Sequence, residues 1–388
     1  MSYDDQFIDA LQHLEDNGLL RSLRTFPASG GVFTWQGRRV LNFSSNDYLD
    51  LANHPALKAG AIAAIEQYGC GSTASRLMAG HLELHERLEA RLAAFTGMES
   101  ALVFPTGYQT NVGTITALAG PGGAVFSDAL NHASIVDGCR LSRAAIHVYR
   151  HNDMAQLEQM LALAGTAARR IVVSDSIFSM DGDAAPLREL ERLARRFDAL
   201  LVLDEAHAIG IHGEGAGLAR ALGVRPDVIV GTLSKALGGE GGFAAGPAQF
   251  RSLLINGARS FIFSTGLAPA CAGSALAAID TISAAPALGA ELLRRAAFFR
   301  EKLRENGIDT PDDPSPIVPV ILGENRAAMA CSAALLDEGI LVAAVRPPSV
   351  PEGTARLRFS LTLAHGMDDL EWAAQKAGAA LAISNRLT

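Results

Sequence analysis

Short apolar runs bounded by glycine, proline, asparagine or aspartate recur along the chain from Ala101 onward. Ala101–Phe104 reads ALVF, Ala124–Ser127 AVFS, Ile171–Ser174 IVVS, Leu200–Asp204 LLVLD and Val228–Gly231 VIVG. Runs this short do not make helices, and their uninterrupted apolar character fits strands buried on both faces. Between them lie polar loops and stretches at helical spacing, such as PLRELERLARRF from Pro186. Strand, loop and helix repeated in this way predict an α/β fold with a mostly parallel sheet. Its chemistry then belongs on the loops at the strands' carboxyl ends.

Upstream of the repeat, Phe7, Ile8, Leu11, Leu14 and Leu19 fall near helical spacing and predict an amphipathic helix over residues 4–20. GVFTWQGRRVLNF predicts a hairpin turning at Gln36-Gly37. Helices are expected over Pro55–Tyr68, from about His81 to Phe95, and over 109–118. Downstream, alanine-rich helices begin near residue 268, and Pro286 marks a boundary. Beyond it, a helix (288–305), a strand (317–322), a helix (325–338) and strands near 340–345 and 355–361 predict a smaller α+β domain. The expected division is an N-terminal arm (1–45), a large domain (46–285) and a small domain (286–388), with no internal repeat.

The chain has 388 residues, 49% of them hydrophobic and 19% charged, which is the composition of a globular protein with a sizeable core. A formal net charge of -8 argues against a nucleic-acid surface. No apolar run approaches a membrane span, and the acidic start MSYDDQF lacks the basic and apolar regions of a signal peptide. Cys70, Cys139, Cys271 and Cys331 are widely spaced and form no C-x-x-C pair. They indicate a reducing compartment, without a disulfide framework or zinc site. A cytoplasmic protein is expected, with no nucleic-acid or membrane partner.

The richest chemistry lies between Leu200 and Gly242. Asp204 ends one apolar run and His207 follows three residues later; the next run leads through Thr232 and Ser234 to Lys235 and a cluster of glycines. Singly, an aspartate at a strand end is often a helix cap, and a lysine in a glycine-rich loop is usually solvated. Together, on neighbouring parallel strands, acid, imidazole and amine suit an aldehyde coenzyme held as a Schiff base. Two other patterns are set aside. Gly69, Gly71 and Ala74 form a G-x-G-x-x-A, but a helix precedes it where a dinucleotide fingerprint needs a strand. His81 and His85 sit four apart on one helix, yet a third ligand is missing and Leu82 stands where a zincin needs Glu, so no metal is expected.

The ordered set NFSSNDYL, PTGY, DALNHASIVDG, SIFSMDGD, LDEAHAIG, GTLSKALGG, FSTG and RPPSVPEGTARLR, spanning roughly residues 20 to 370, closely resembles the α-oxoamine synthases. These are pyridoxal-phosphate enzymes of fold type I that join an amino acid to an acyl thioester with loss of carbon dioxide. The resemblance leans toward L-alanine with a pimeloyl thioester, carried on coenzyme A or an acyl carrier protein. Glycine with acetyl-CoA is the nearest alternative within the family, and a catalytically silent binding protein of the same fold is a further one. Two positions depart from the family pattern. Asp50 replaces the glycine usual after NDYL, and Ala74 replaces the glycine usual before the serine of the small-residue loop. Either would be strained if its backbone required a positive φ.

The resemblance also implies roles. Lys235 tethers the coenzyme and moves the α-proton, Asp204 faces the pyridine nitrogen, and His207 bonds the phenolic oxygen. His132 lies on the ring face and assists acyl transfer. Gly107 and Tyr108, at a helix N-terminus, meet the phosphate with Thr232 and Ser234. Thr265 reaches the phosphate of the other subunit, implying a homodimer, and Ser179 supports the ring. Asp175 is an outer partner of His207 or Asp204. Arg358 pairs with the amino-acid carboxylate, helped by Asn46. Arg21, Thr354 and the loop around Arg76 are candidates for the acyl substrate, whereas Arg346 and Arg356 include structural arginines.

Overall fold

The structure is a computed structural model that describes residues 3–165 and 169–384. The chain forms two compact units. One comprises Asp47–Ser179 and Asp183–Leu293; the other comprises the residues up to Asn46, Met180–Gly182 and those from Arg294 on.

In the latter unit, the helix Tyr3–Asp16 forms but ends short of the expected residue 20, where Gly18 turns to φ 63, and it buries none of its residues. The hairpin follows, with β1 (Val32–Trp35) antiparallel to β2 (Arg38–Asn42). Its turn puts Gln36 at φ 50 and Gly37 at φ 74. Two successive left-handed residues give the turn whose twist matches that of the strands.

The larger unit holds a seven-stranded sheet built from β3 (Ser100–Phe104), β4 (Ala124–Asp128), β5 (Ala145–Tyr149), β6 (Arg170–Asp175), β7 (Leu200–Asp204), β8 (Val228–Thr232) and β9 (Gly242–Gly246). The order is β3-β9-β8-β7-β6-β4-β5, parallel throughout except for β9, which runs antiparallel to both neighbours. Alternate residues feed opposite faces. Leu201 and Leu203 join one core with Phe126, Leu157 and Leu190. Val202 joins the other with Val125, Ile171, Val173 and Val230. A period of two with both faces apolar is what an uninterrupted hydrophobic run produces in a covered sheet.

The apolar pattern alone overlooks two strands. β5 is an edge strand that exposes Ile146 and Val148, so it lacks a buried run. β9 reads Gly-Phe-Ala-Ala-Gly, and its place depends on a neighbour: a Cβ on Gly231 would lie 2.5 Å from the Phe243 ring.

The rest of the smaller unit contributes β10 (Ile317–Gly323), β11 (Ile340–Leu341), β12 (Ala343–Val345) and β13 (Ala355–Ser360). They form an antiparallel β10-β13-β12 sheet, while β11 pairs parallel to β2. The pairing Ile340↔Leu41 is the physical reason that residues up to Asn46 group with the C-terminal elements rather than forming the separate 1–45 arm expected from sequence. Phe43 packs on Phe299 and Phe359 at centroid distances of 5.5 and 5.4 Å, inserting the N-terminal stretch into this core. The helix Met367–Ser384 closes the unit and was not among the predicted elements.

The two departures from the family pattern behave differently. Asp50 does adopt the left-handed region, at φ 57, while Ala74 does not; its neighbour Thr73 does, at 60. Aspartate tolerates this conformation better than most residues because its short polar side chain bonds locally. Asp50→Gly is therefore expected to unfold in urea at or above the parent's midpoint. Asp50→Val is expected to lose about 1–2 kcal/mol. Equal stability of the two variants would show that the position bears no backbone strain.

A candidate coenzyme site at the carboxyl ends of the parallel strands

Asp204 and Thr232 end β7 and β8, and Asp175 ends β6 directly opposite Asp204 in register. All three side chains therefore emerge at one edge of the larger unit, where a cavity of about 220 Å³ opens. Gly107, Tyr108, His132, Asp204, His207, Thr232, Ser234 and Lys235 all line it.

The helix Gly107–Leu118 begins at this cavity. Thr106 caps it, its Oγ1 accepting the Gln109 N–H at 3.1 Å, while the N–H groups of the first turn have no acceptor within the helix. Its approach to the sheet requires glycine on β9. A Cβ at Gly242 would stand 2.5 Å from Thr110 Oγ1 and 2.6 Å from Gly107 Cα. The Thr232 and Ser234 hydroxyls, 2.7 Å apart, lie on the same cavity. Backbone donors, hydroxyls and a helix N-terminus together form a cradle for a phosphate.

Asp204 is 5% exposed. One carboxylate oxygen accepts the Ala206 N–H at 2.9 Å, and the other accepts Asn111 Nδ2 at 2.6 Å. Asn111 lies one turn beyond Gly107, so the helix that offers its N-terminus also orients the carboxylate. The Asn111 Oδ1 is buried without a hydrogen-bond partner. Asp175 is buried beside Asp204, and its Oδ2 accepts the His132 backbone N–H at 2.7 Å. Burial and then the Asp204 charge raise the Asp175 pKa well above the ordinary carboxylate value. Burial likewise lowers the His132 pKa, a shift that Asp204 opposes and Lys235 reinforces.

Lys235 Nζ lies 2.8 Å from His207 Nε2, and His207 Nδ1 lies 2.7 Å from the Tyr48 hydroxyl. When the amine donates to Nε2, the imidazole carries its proton on Nδ1 and donates it to Tyr48. Amine, imidazole, carboxylate and phosphate cradle face a single cavity. This donor set fits pyridoxal phosphate, which combines an aldehyde, a basic ring nitrogen and a phosphate ester.

Tyr48, Asn111 and Ser134 had been given no role from sequence. Tyr48 lies in the quoted NFSSNDYL motif, and Asn111 shares a helix face with Gly107, so both carried a signal. Ser179 and Thr265 do not line the cavity. Ser179 is half-buried at the end of the larger unit's first segment, and Thr265 is exposed, with its backbone bridged to Ser75. Arg21, Asn46, Thr354 and Arg358 belong to the smaller unit. There Arg358, on β13, donates to Asn46 Oδ1 at 3.2 Å and to Ser360 Oγ. Arg21 lines a cavity of about 420 Å³ with Arg24, Arg346, Phe26 and Met329. Thr354 accepts a bond from Arg356, which also pairs with Asp181. Arg76 is committed to a buried pair with Glu89 at 2.8 Å. His85, buried, bonds the Leu267 carbonyl.

Residues 38–376 match the family model described as aminotransferase class I and II. An 8-amino-7-oxononanoate synthase of Geobacter sulfurreducens is 51% identical, covering 93% of this chain and 94% of its own. One from Lysinibacillus sphaericus is 42% identical over 96% and 97%. A solved serine palmitoyltransferase from S. paucimobilis with bound PLP superposes with a TM-score of 0.92 at 31% identity, covering 98% of each chain. The 8-amino-7-oxononanoate synthase structure from Francisella tularensis gives 0.77 at 25% identity, covering 90% and 99%.

The Asp175 shift has a measurable sign. A folded-state pKa raised above the unfolded value of about 4 contributes stability that is fully present below that value and lost as pH climbs toward the folded pKa. Asp175→Asn carries no such loss. In the coenzyme-free protein, its melting temperature is expected to rise above the parent's at pH 8, with the gain shrinking as pH falls to 4. A gain independent of pH would contradict the raised pKa of the buried carboxyl.

Proposed function

This chain belongs to the 8-amino-7-oxononanoate synthase family within the class I and II aminotransferases, and from that premise we propose how its residues carry the reaction. As a member, it is a pyridoxal-phosphate-dependent acyltransferase of biotin biosynthesis. It condenses L-alanine with a pimeloyl thioester to give 8-amino-7-oxononanoate, carbon dioxide and free thiol. A carbon–carbon bond forms between the alanine α-carbon and the acyl carbonyl. The carbon–sulfur bond and the bond to the alanine carboxylate break. The observation that most supports the residue assignments is the shared cavity of Lys235, Asp204 and the helix N-terminus at Gly107.

Bound there, pyridoxal phosphate supplies an aldehyde that condenses with amines and a ring that withdraws electrons from the bonds to the α-carbon. Lys235 Nζ would tether the coenzyme, and its amine is the group placed to take the α-proton and return one. The Asp204 carboxylate would hold a proton on the ring nitrogen by charge. His207, fixed between Tyr48 and Lys235, would donate to or accept from the phenolic oxygen. His132 would lie against the ring and assist acyl transfer. Gly107 and Tyr108 N–H groups, with Thr232 and Ser234 hydroxyls, bind the phosphate. Ser179 supports the ring environment, and Thr265 serves the phosphate site of a second copy, so the active form is a homodimer.

Arg358 is assigned the alanine carboxylate, with Asn46 orienting its guanidinium. Arg21 and Thr354 are assigned the acyl substrate. Arg76, held by Glu89, acts instead as a support for its loop. The acyl group rides on coenzyme A or an acyl carrier protein. Among the described residues, no single helix is long and apolar enough to cross a membrane. Among the described residues no cysteine forms a disulfide, which fits a cytoplasmic enzyme.

Holoprotein given L-alanine and pimeloyl-CoA is expected to release thiol and form a product of the mass of 8-amino-7-oxononanoate. Lys235→Ala is expected to abolish turnover. Asp204→Asn is expected to lower kcat on the order of 10²–10³-fold, the scale for removing one preorganised electrostatic group. Turnover confined to glycine and acetyl-CoA would overturn the substrate assignment.

A further inference from the structure

Outside the cavity lining, one imidazole joins two carboxylates from separate parts of the chain. His151 follows the end of β5; its Nδ1 lies 2.9 Å from Asp128 Oδ1 and its Nε2 lies 2.7 Å from Asp183 Oδ2. Two carboxylates accept, so both ring nitrogens donate, and the ring between them is an imidazolium. Its edge-on contact with Phe178, at a centroid distance of 4.4 Å, fixes the plane.

The Asp128 carboxylate and the Asp183 backbone each hold a segment assigned to the coenzyme. Asp128, at the end of β4, accepts the Leu130 N–H with Oδ1 and the Asn152 N–H with Oδ2, both at 2.8 Å. That fixes the start of the loop 129–132, whose last residue is His132. On the other side, the Asp183 carbonyl accepts the Phe178 N–H at 2.9 Å, and Ile177 bridges Ala184. These contacts close the base of the turn that contains Ser179. Asn152 Nδ2 adds a second donor to Asp183 Oδ2, at 3.0 Å.

We infer that His151 is a positioning residue: by bridging Asp128 and Asp183 it holds the His132 loop and the Ser179 turn in one fixed relation. The inference rests on the coenzyme role assigned to those two residues above. Three observations favour this over a brace for the β5 edge alone. The ring's partners come from the end of β4 and from the chain at 183 rather than from β5 itself, both nitrogens are used, and the Asp128 side chain is 1% exposed. Burial lowers the His151 pKa, but bonds to Asp128 and Asp183 outweigh it and push it up to about 10, so the bridge persists across neutral pH. A neutral side chain with one donor leaves one carboxylate without its partner.

The test compares parent, His151→Phe and His151→Gln, with pyridoxal phosphate as the probe. His151→Phe keeps the ring contact with Phe178 and removes both donors; His151→Gln supplies a donor to one carboxylate at a time. In the coenzyme-free proteins, hydrogen exchange at the Leu130 and His132 amides is expected to accelerate at least tenfold, while amides in β7 and β8 stay as in the parent. With coenzyme, His151→Phe is expected to bind it at least tenfold more weakly. The visible circular dichroism per bound coenzyme should fall, because the ring is no longer held in one orientation. At saturating coenzyme, kcat should drop at least tenfold with KM for alanine within twofold, and His151→Gln should fall between parent and His151→Phe. A lower melting temperature with parental coenzyme affinity, dichroism and kcat would reduce His151 to a brace and overturn the inference. If the parent binds coenzyme but turns over no thioester, the reaction assignment fails, while exchange and dichroism still decide the role of His151.

Discussion

A buried negative charge at the end of a parallel strand is the constraint that organises this site. Asp204 has little contact with solvent, so its carboxylate must be satisfied by the protein itself. The Ala206 N–H and the Asn111 amide supply that from two sides. The same charge sets its neighbours' chemistry: it adds to the rise in the Asp175 pKa and opposes the lowering of the His132 pKa. A cationic heterocycle brought to this place gains an anionic partner without further rearrangement.

The surrounding fold delivers these groups by simple geometry. Parallel strands bring their carboxyl ends to one edge, so Asp175, Asp204 and Thr232 converge although they are far apart in sequence. A glycine at position 242 lets the helix N-terminus at Gly107 close on that edge. Behind Asp204, the fully buried Glu205 accepts the Leu218 and Ala219 N–H groups at 2.8 Å and a bond from Ser176. Burial raises its pKa to about 7, opposed by those three bonds. It ties the ends of β6 and β7 to the chain beyond, so the acid pair rests on a rigid base.

Much of this was legible before any coordinates. The apolar runs mark five of the seven strands of the large sheet, and Asp204, His207 and Lys235 declare themselves by order and spacing. What escaped depends on contacts that no local pattern encodes. β9 is a strand because Gly231 makes room for Phe243, not because of its own propensity. Tyr48 meets His207 across 159 residues. His151 has no motif at all; its meaning comes from Asp128 and Asp183 arriving on either side of it. Sequence gives the strain at residue 50 only as a condition, since φ is a property of the folded loop, and in the small-residue loop Thr73 rather than Ala74 takes a positive φ.

The electrostatic claim is tested most directly by the protonation of the coenzyme's ring nitrogen. Pyridoxal phosphate labelled with nitrogen-15 in the ring, bound to parent and to Asp204→Asn protein at pH 8, reports it through the nitrogen chemical shift. A protonated nitrogen in the parent and an unprotonated one in the variant is the expected pair of results. Identical shifts in the two proteins would mean that Asp204 does not control the ring's charge, and the reading of the site built on it would fall.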